Sequence, residues 1–177
     1  MLTDLGYFKL SVFKELTIKG AYFLSKLLIG TTLINADTSE KIDLSATLHS
    51  FVGNTLEINV IMGNGKYPVP CRSIGFRVTK QVADARRRKL RKEAKKKGRT
   101  PSKHHLSLCD WTLFVTNAPS EILPVTIVFS LYRLRWQIEL IFKQLKSVLR
   151  IHSSYTAKEH RLKSDILGKL IMAVIIP

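Results

Sequence analysis

From residue 31 to 79 the apolar residues recur at every second position. Leu56, Ile58, Val60 and Met62 share one side of "LEINVIM", and Ile74, Phe76 and Val78 share one side of "SIGFRVT". Gly53, the "GNG" at 63–65, Pro68 and Pro70 supply turns, so this stretch predicts an antiparallel β section of several short strands. The flanks follow other patterns. Before the section, "DLGYF" at 4–8 suits a strand end turning into a loop, 9–16 a short helix closed by Gly20, and 21–28 a strand. After it, helix formers run from Lys80 until Gly98 and Pro101 end them, and the β-branched "DWTLFVTN" at 110–117 has the length of a strand. Pro124 is placed as the first residue of a long helix reaching about Arg150. "TAKE" at 156–159 is a capping box leading into a last amphipathic helix over 160–176.

The long helix carries the most informative spacing. Tyr132, Arg135, Glu139 and Lys146 lie within a sector of about 60° at about 100° per residue, so one acid and two bases share a narrow stripe with a phenol. Leu131, Ile138, Leu145, Val148 and Leu149 gather on a neighbouring arc that predicts a core-facing side. The plain reading pairs Glu139 with Lys143 at i+4 and leaves the other charges in solvent. A solvated face, however, has no need of Tyr132, Trp136 and Arg135 beside a single acid, and that mixture suits gripping a phosphate.

Charge changes the picture further. Lys and Arg number 29 against 13 Asp and Glu, a net +16, which points to a polyanionic partner, nucleic acid before an anionic membrane surface. Ten cations fall between 86 and 99 (Arg86, Arg87, Arg88, Lys89, Arg91, Lys92, Lys95, Lys96, Lys97 and Arg99) with only Glu93 among them. Such a run cannot bury a continuous face. It predicts a solvated helix or arm over 80–103 that meets the phosphate backbone without reading bases. Cys71 and Cys109 lack metal-ligand spacing and His104–His105 has no cysteine pair nearby, which excludes a structural zinc finger pattern. The N-terminus lacks the order of a signal peptide, and the apolar "LIMAVIIP" is too short to span a bilayer. A cytoplasmic, nucleoid-associated protein with no membrane role is expected.

Two carboxylates stand out as chemistry. Asp4 at a strand end has either a catalytic place, as at the carboxyl ends of open α/β sheets, or the plainer role of a turn or N-cap residue. With Glu139 it supplies hard oxygen ligands of the kind that hold Mg²⁺ in phosphoryl transfer. A third acid is usually needed. Asp37, Asp43, Asp84 and Asp110 read as ordinary loop or helix acids.

The spacing Tyr132-x2-Arg135-x3-Glu139-x6-Lys146 resembles the Y-R-E-K signature of bacterial insertion-sequence transposases of the IS-four group, DDE enzymes with an RNase-H-like catalytic domain. "DLGYF" with "KGAYFLSKL", "RRRKLRKEAKKKGRTPS" and "WTLFVTNAP" also look like segments of that family, and the likeness runs from Met1 to about Arg150. The resemblance implies an α/β (α+β) fold, a partial RNase-H-like (retroviral-integrase-like) domain with an inserted antiparallel β section. It makes 1–30 core, 31–79 the insertion, 80–103 a basic arm and 104–177 a return to the core. It makes Asp4 the second catalytic acid and Glu139 the third, both ligands of Mg²⁺ or Mn²⁺. Tyr132, Arg135 and Lys146 would hold phosphates at the transposon end, and Trp136 would stack on a displaced base. Double-stranded DNA is the implied partner, with a homodimer in the synaptic complex.

The family's first aspartate has no counterpart before Asp4, so the sequence reads as a transposase fragment inactive by itself. A non-enzymatic DNA-binding protein or truncated transposition regulator is the rival reading. The charge alone would also suit a ribosomal-type RNA binder, but that gives no reason to keep Glu139 among cations.

Overall fold

The computed structural model describes residues 1–63, 65–147, 150 and 158–175, with backbone only at 138, 142, 144, 145 and 173–175. Two compact units, Met1–Val128 and Phe129–Pro177, make up the chain. The first is built on one open six-stranded sheet of mixed α/β architecture. Its strands are β1 (Leu2–Thr3), β2 (Leu24–Lys26), β3 (Leu33–Asn35), β4 (Thr55–Met62), β5 (Val69–Arg77) and β6 (Trp111–Thr116). They lie in the order β1-β2-β6-β5-β4-β3. Only β1 and β2 are parallel, joined by helix α1 (Leu10–Ile18); all other neighbours are antiparallel. Strands β3 to β5, from the period-two stretch, therefore extend the same sheet that carries β1, β2 and β6.

The two alternating runs point their apolar sets to opposite sides. Val60 faces Cys71 and Met62 faces Val69 across the β4–β5 ladder, while Ile74 pairs with Glu57. Leu56, Ile58, Val60 and Met62 thus share a face with Val69 and Cys71, and side chains of Phe13, Phe23, Leu33, Trp111, Leu113 and Val115 join the cluster there. Phe13 stacks on Phe23 at 4.4 Å between ring centroids. Ile74 and Phe76 occupy the other face, where Phe76 meets Phe114 edge-on at 5.9 Å. Burial on both faces explains why β5 reads as a nearly continuous buried run. Gly75 is small for a packing reason. A Cβ there would lie 3.1 Å from a Leu113 methyl and 3.3 Å from the Trp111 ring.

Several expectations are adjusted. The strand expected over 21–28 shrinks to β2, flanked by a bond from the Leu27 amide to the Leu113 carbonyl and by a turn at Gly30, whose φ is +95°. The period-two stretch contains a helix, α2 (Leu44–Ser50), because the Asp43 carboxylate accepts from the Ser45 and Ala46 amides and caps it. The basic run is a helix, α3 (Lys80–Lys96), closed by Gly98 at φ +62°. A short helix α4 (Lys103–Ser107) follows, capped by Ser102, which the charge pattern does not announce. Helix α5 (Val125–Ser147) begins in the first unit; the remainder of it and helix α6 (Glu159–Ile175) belong to the second. Thr156 and Ala157 of the capping box fall outside the described residues, as do Val148 and Leu149 and the side chains of Ile138 and Leu145. No described helix is long and apolar enough to cross a membrane.

Candidate functional site

Asp4 follows β1 directly, at the carboxyl end of one of the two parallel strands. It also caps a single 3₁₀ turn, Leu5–Tyr7, accepting from the Leu5 amide at 2.8 Å. The structure shows the capping role, which fixes the carboxylate at the strand's end, half-buried rather than free in solvent.

The stripe on α5 is one connected group. Arg135 sets its guanidinium 5.3 Å from the centre of the Tyr132 ring and forms an ion pair with Glu139, four residues on. The pair of Glu139 is thus Arg135 rather than Lys143, which forms no ion pair among the described residues. Acid before base is the better i,i+4 order, which favours Lys143, yet here Glu139 takes the arginine that already lies against the Tyr132 ring. Tyr132 is buried, so its ring backs Arg135, while Glu139 keeps 45% of its side chain exposed. Lys146 is exposed and lines one shallow concavity with Glu139, Lys143 and Ser147. Trp136 is 58% exposed, with no core packing among the described residues.

Helix α3 divides its cations. Arg86 donates to the Trp111 carbonyl and to the Thr112 hydroxyl, both at 2.8 Å. Arg87 bridges Asp84 at 2.9 Å and Asp110 at 2.5 Å, and the Asp110 hydrogen bond leads the causes that hold its guanidinium above the ordinary value. Together with buried Ala83 these two arginines dock the helix beside β6. Arg88, Arg91, Lys92 and Lys95 project from the opposite side, within about 100° of arc and about 10 Å of helix. Lys89, Lys96, Lys97 and Arg99 are exposed as well, and Lys89 stands 4.0 Å from Glu93. Eight of the ten cations thus face solvent, and two serve the fold.

Three of the four other candidate acids have partners. Asp43 caps α2 and lies 4.0 Å from His104, Asp84 and Asp110 hold Arg87, and Asp37 sits in the exposed turn after β3. Among the described residues no group of three or more His, Cys, Asp and Glu side chains is arranged to hold a metal ion. Asp4 and Glu139 each present a carboxylate, a hard oxygen donor of the kind that suits a hard cation.

Sequence reasoning passes over Arg72. Its position, two before Ile74 on the same side of β5, signals a cation on a buried face. It is only 9% exposed, donating from Nε to the Ala118 carbonyl at 2.8 Å and from Nη2 to the Leu123 carbonyl at 2.7 Å, with Nη1 paired to Glu57. Asn117, just after β6, is a second such residue. Its Oδ1 accepts from the Phe23 amide, and its Nδ2 donates to Thr17 and to the Ala21 carbonyl.

Comparison with known proteins gives these positions a context. The family model described as "Transposase DDE domain" matches residues 1–175. The transposase for insertion sequence element IS231C of Bacillus thuringiensis subsp. berliner is 32% identical over 190 residues, covering 98% of this chain and 40% of the relative. The transposase for IS1151 of Clostridium perfringens is 30% identical, again over 98% of this chain and 40% of its own length. The putative transposase InsL for IS186A of Escherichia coli strain K12 is 31% identical over 129 residues, 70% of this chain and 35% of the relative. The chain spans about 40% of the length of the first of these relatives. With a family model matched along nearly its whole length, the chain belongs to the transposase DDE domain family.

Proposed function

We propose that this chain is part of the catalytic domain of an insertion-sequence transposase, which in its intact form binds transposon ends and cuts and joins DNA by metal-dependent phosphoryl transfer. The observation that carries this reading is the Tyr132–Arg135–Glu139 group, an acid held against a ring-backed guanidinium on one helix face, with Lys146 at the same concavity. Asp4 and Glu139 are the second and third catalytic acids and ligands of Mg²⁺ or Mn²⁺, which when bound polarises phosphate oxygens and activates the attacking one. Tyr132, Arg135 and Lys146 hold phosphates at the transposon end, and exposed Trp136 stacks on a displaced base. A phosphate competes with Glu139 for Arg135, so DNA arrival frees the carboxylate. The sheet is part of an RNase-H-like core; 1–30 and 104–177 belong to that core, 31–79 is its insertion, and 80–103 is the arm. The partner is double-stranded DNA, engaged by a homodimer in a cytoplasmic, nucleoid-associated complex.

The outward cations of α3 support a second reading, a non-catalytic DNA-binding protein or transposition regulator, and one experiment addresses both. Duplex affinity of the purified chain is measured from 50 to 200 mM salt, together with Mg²⁺-dependent strand cleavage. A steep salt dependence is expected, and replacing Arg88, Arg91, Lys92 and Lys95 by Gln should reduce the slope by about 3 to 4. Affinity indifferent to salt would remove DNA binding from both readings. With two acids in place the chain alone is expected to leave DNA uncut. Cleavage that Glu139→Ala abolishes would show that this chain needs no further acid.

A further inference from the structure

We infer that α5 carries a site for an unpaired stretch of DNA strand, in which Leu140 packs on a base beside Trp136 while Arg133 and Lys143 hold phosphates to either side; the inference rests on the reading of α5 as the helix that grips DNA. From Phe129 onward α5 belongs to the second unit, and the site is built within that unit. At about 100° per residue, Phe129, Trp136 and Leu140 fall within about 40° of one another, on a strip beside the Tyr132–Arg135–Glu139 stripe. All three are exposed, Leu140 to 45%. A row of large apolar side chains in solvent on one helix face marks an interaction surface.

The charges at its margins narrow the choice of ligand. Arg133 stands about 20° beyond one edge of the strip and Lys143 about 20° beyond the other, both exposed. The second unit has three acids, Glu139, Glu159 and Asp165, and they engage Arg135, Lys163 and Lys169. Arg133 and Lys143 therefore form no ion pair among the described residues, Lys143 because Arg135 has taken the acid one turn before it. An apolar strip between two unneutralised cations complements a ligand with flat apolar faces and anionic groups at their sides. In a duplex the bases are stacked on one another and a helix surface meets mainly backbone. An unpaired strand offers base faces and phosphates together, the combination that stacking platforms with cationic edges bind. Trp136 and Leu140 are about 6 Å apart along the axis, so each meets a different base. The strip is too narrow for a lipid surface, which takes an apolar face of about 100° or more.

The test measures the affinity of the full chain, by fluorescence anisotropy, for a blunt duplex and for the same duplex ending in a short run of unpaired thymidines. Helix α3 meets both DNAs, so the ratio of the two affinities isolates the strip. The unpaired end is expected to bind about 10-fold tighter, and Leu140→Ala to reduce that preference at least about threefold. Arg133→Gln with Lys143→Gln should flatten the salt slope on the unpaired end by about 1.4. All three positions are exposed, and far-UV circular dichroism checks that the variants keep their helix. Equal affinity for the two DNAs, or a preference that Leu140→Ala leaves intact, would overturn the inference. Binding to phosphatidylglycerol vesicles that Leu140→Ala abolishes would overturn it in favour of a membrane. The reading of α5 as a DNA grip fails separately, if Arg135→Gln with Lys146→Gln leaves affinity for the blunt duplex as it was.

Discussion

Cys71 lies on the densely packed side of β5, where burial pushes its thiol up to about 12 from an ordinary 9.0, against a smaller opposing effect of a backbone hydrogen bond with Met62. A thiol that stays protonated to higher pH when folded binds more protons in the native state than in the unfolded one. Stability from this group is therefore complete below about pH 9 and falls by about 1.4 kcal/mol per pH unit between 9 and 12. Denaturant titrations of the native chain and Cys71→Ala should diverge across that window, with the native chain losing stability faster; parallel curves would contradict the burial effect. Cys109, also raised by burial first but eased by Arg87 and Arg86, is the less buried thiol and should react first with an alkylating reagent.

At the scale of elements, helix α3 separates two duties that its sequence runs together. Replacing Arg86 and Arg87 by Gln removes the bonds to β6 and to Asp110, and should lower stability by about 1 to 3 kcal/mol while leaving the salt dependence of DNA binding nearly unchanged. Replacing the four outward cations should do the reverse, since like charges lose mutual repulsion when neutralised. Thermal melts and salt titrations of the two variants check this; one shared effect on both quantities would erase the division. Much of α3 was legible, because Gly98 and the run of helix formers state its length. Which cations face the sheet was not, since the partners Asp110, Trp111 and Thr112 come from the start of β6 and the residue before it, more than twenty residues on. The stripe on α5 was legible for the opposite reason: its spacing is local, and only the choice of Arg135 over Lys143 needed the Tyr132 ring to be placed. Helix α2 was hidden by a short apolar pattern that fits strand and helix alike, and Asp43 decided it. Arg72 was hidden because its three partners belong to other parts of the chain, although its side of β5 was readable from Ile74 and Phe76.

Over the whole molecule, the sheet brings residues together across very different lengths of chain. Strands β4 and β5 form a hairpin, with Met62 opposite Val69, and β3 adds beside them. Strand β2 finds its antiparallel neighbour only in β6, with Leu24 opposite Thr116. Closing that distance costs far more chain entropy than closing a hairpin, so the β4–β5 ladder should gain amide protection before β2 does in pulse-labelled exchange during refolding. Simultaneous protection of both would indicate a single concerted collapse. The fork of Arg72 belongs to both stages, since Glu57 joins it within the hairpin and the Ala118 and Leu123 carbonyls reach it only after β6 is laid down.

During synthesis on a ribosome, this order has a material consequence. Residues 2–26 leave the ribosome well before residue 116, and β2, the neighbour of β1, gains its other neighbour β6 only when that residue has left the exit tunnel. Until then Asp4 is attached to an unfinished scaffold, with Phe23 and Leu24 uncovered. Asn117 closes the gap when it arrives, binding the Phe23 amide and the Ala21 carbonyl in one side chain. The nascent chain is thus open to chaperones and proteases until that asparagine is in place, and only then does the strand preceding Asp4 acquire a settled neighbour.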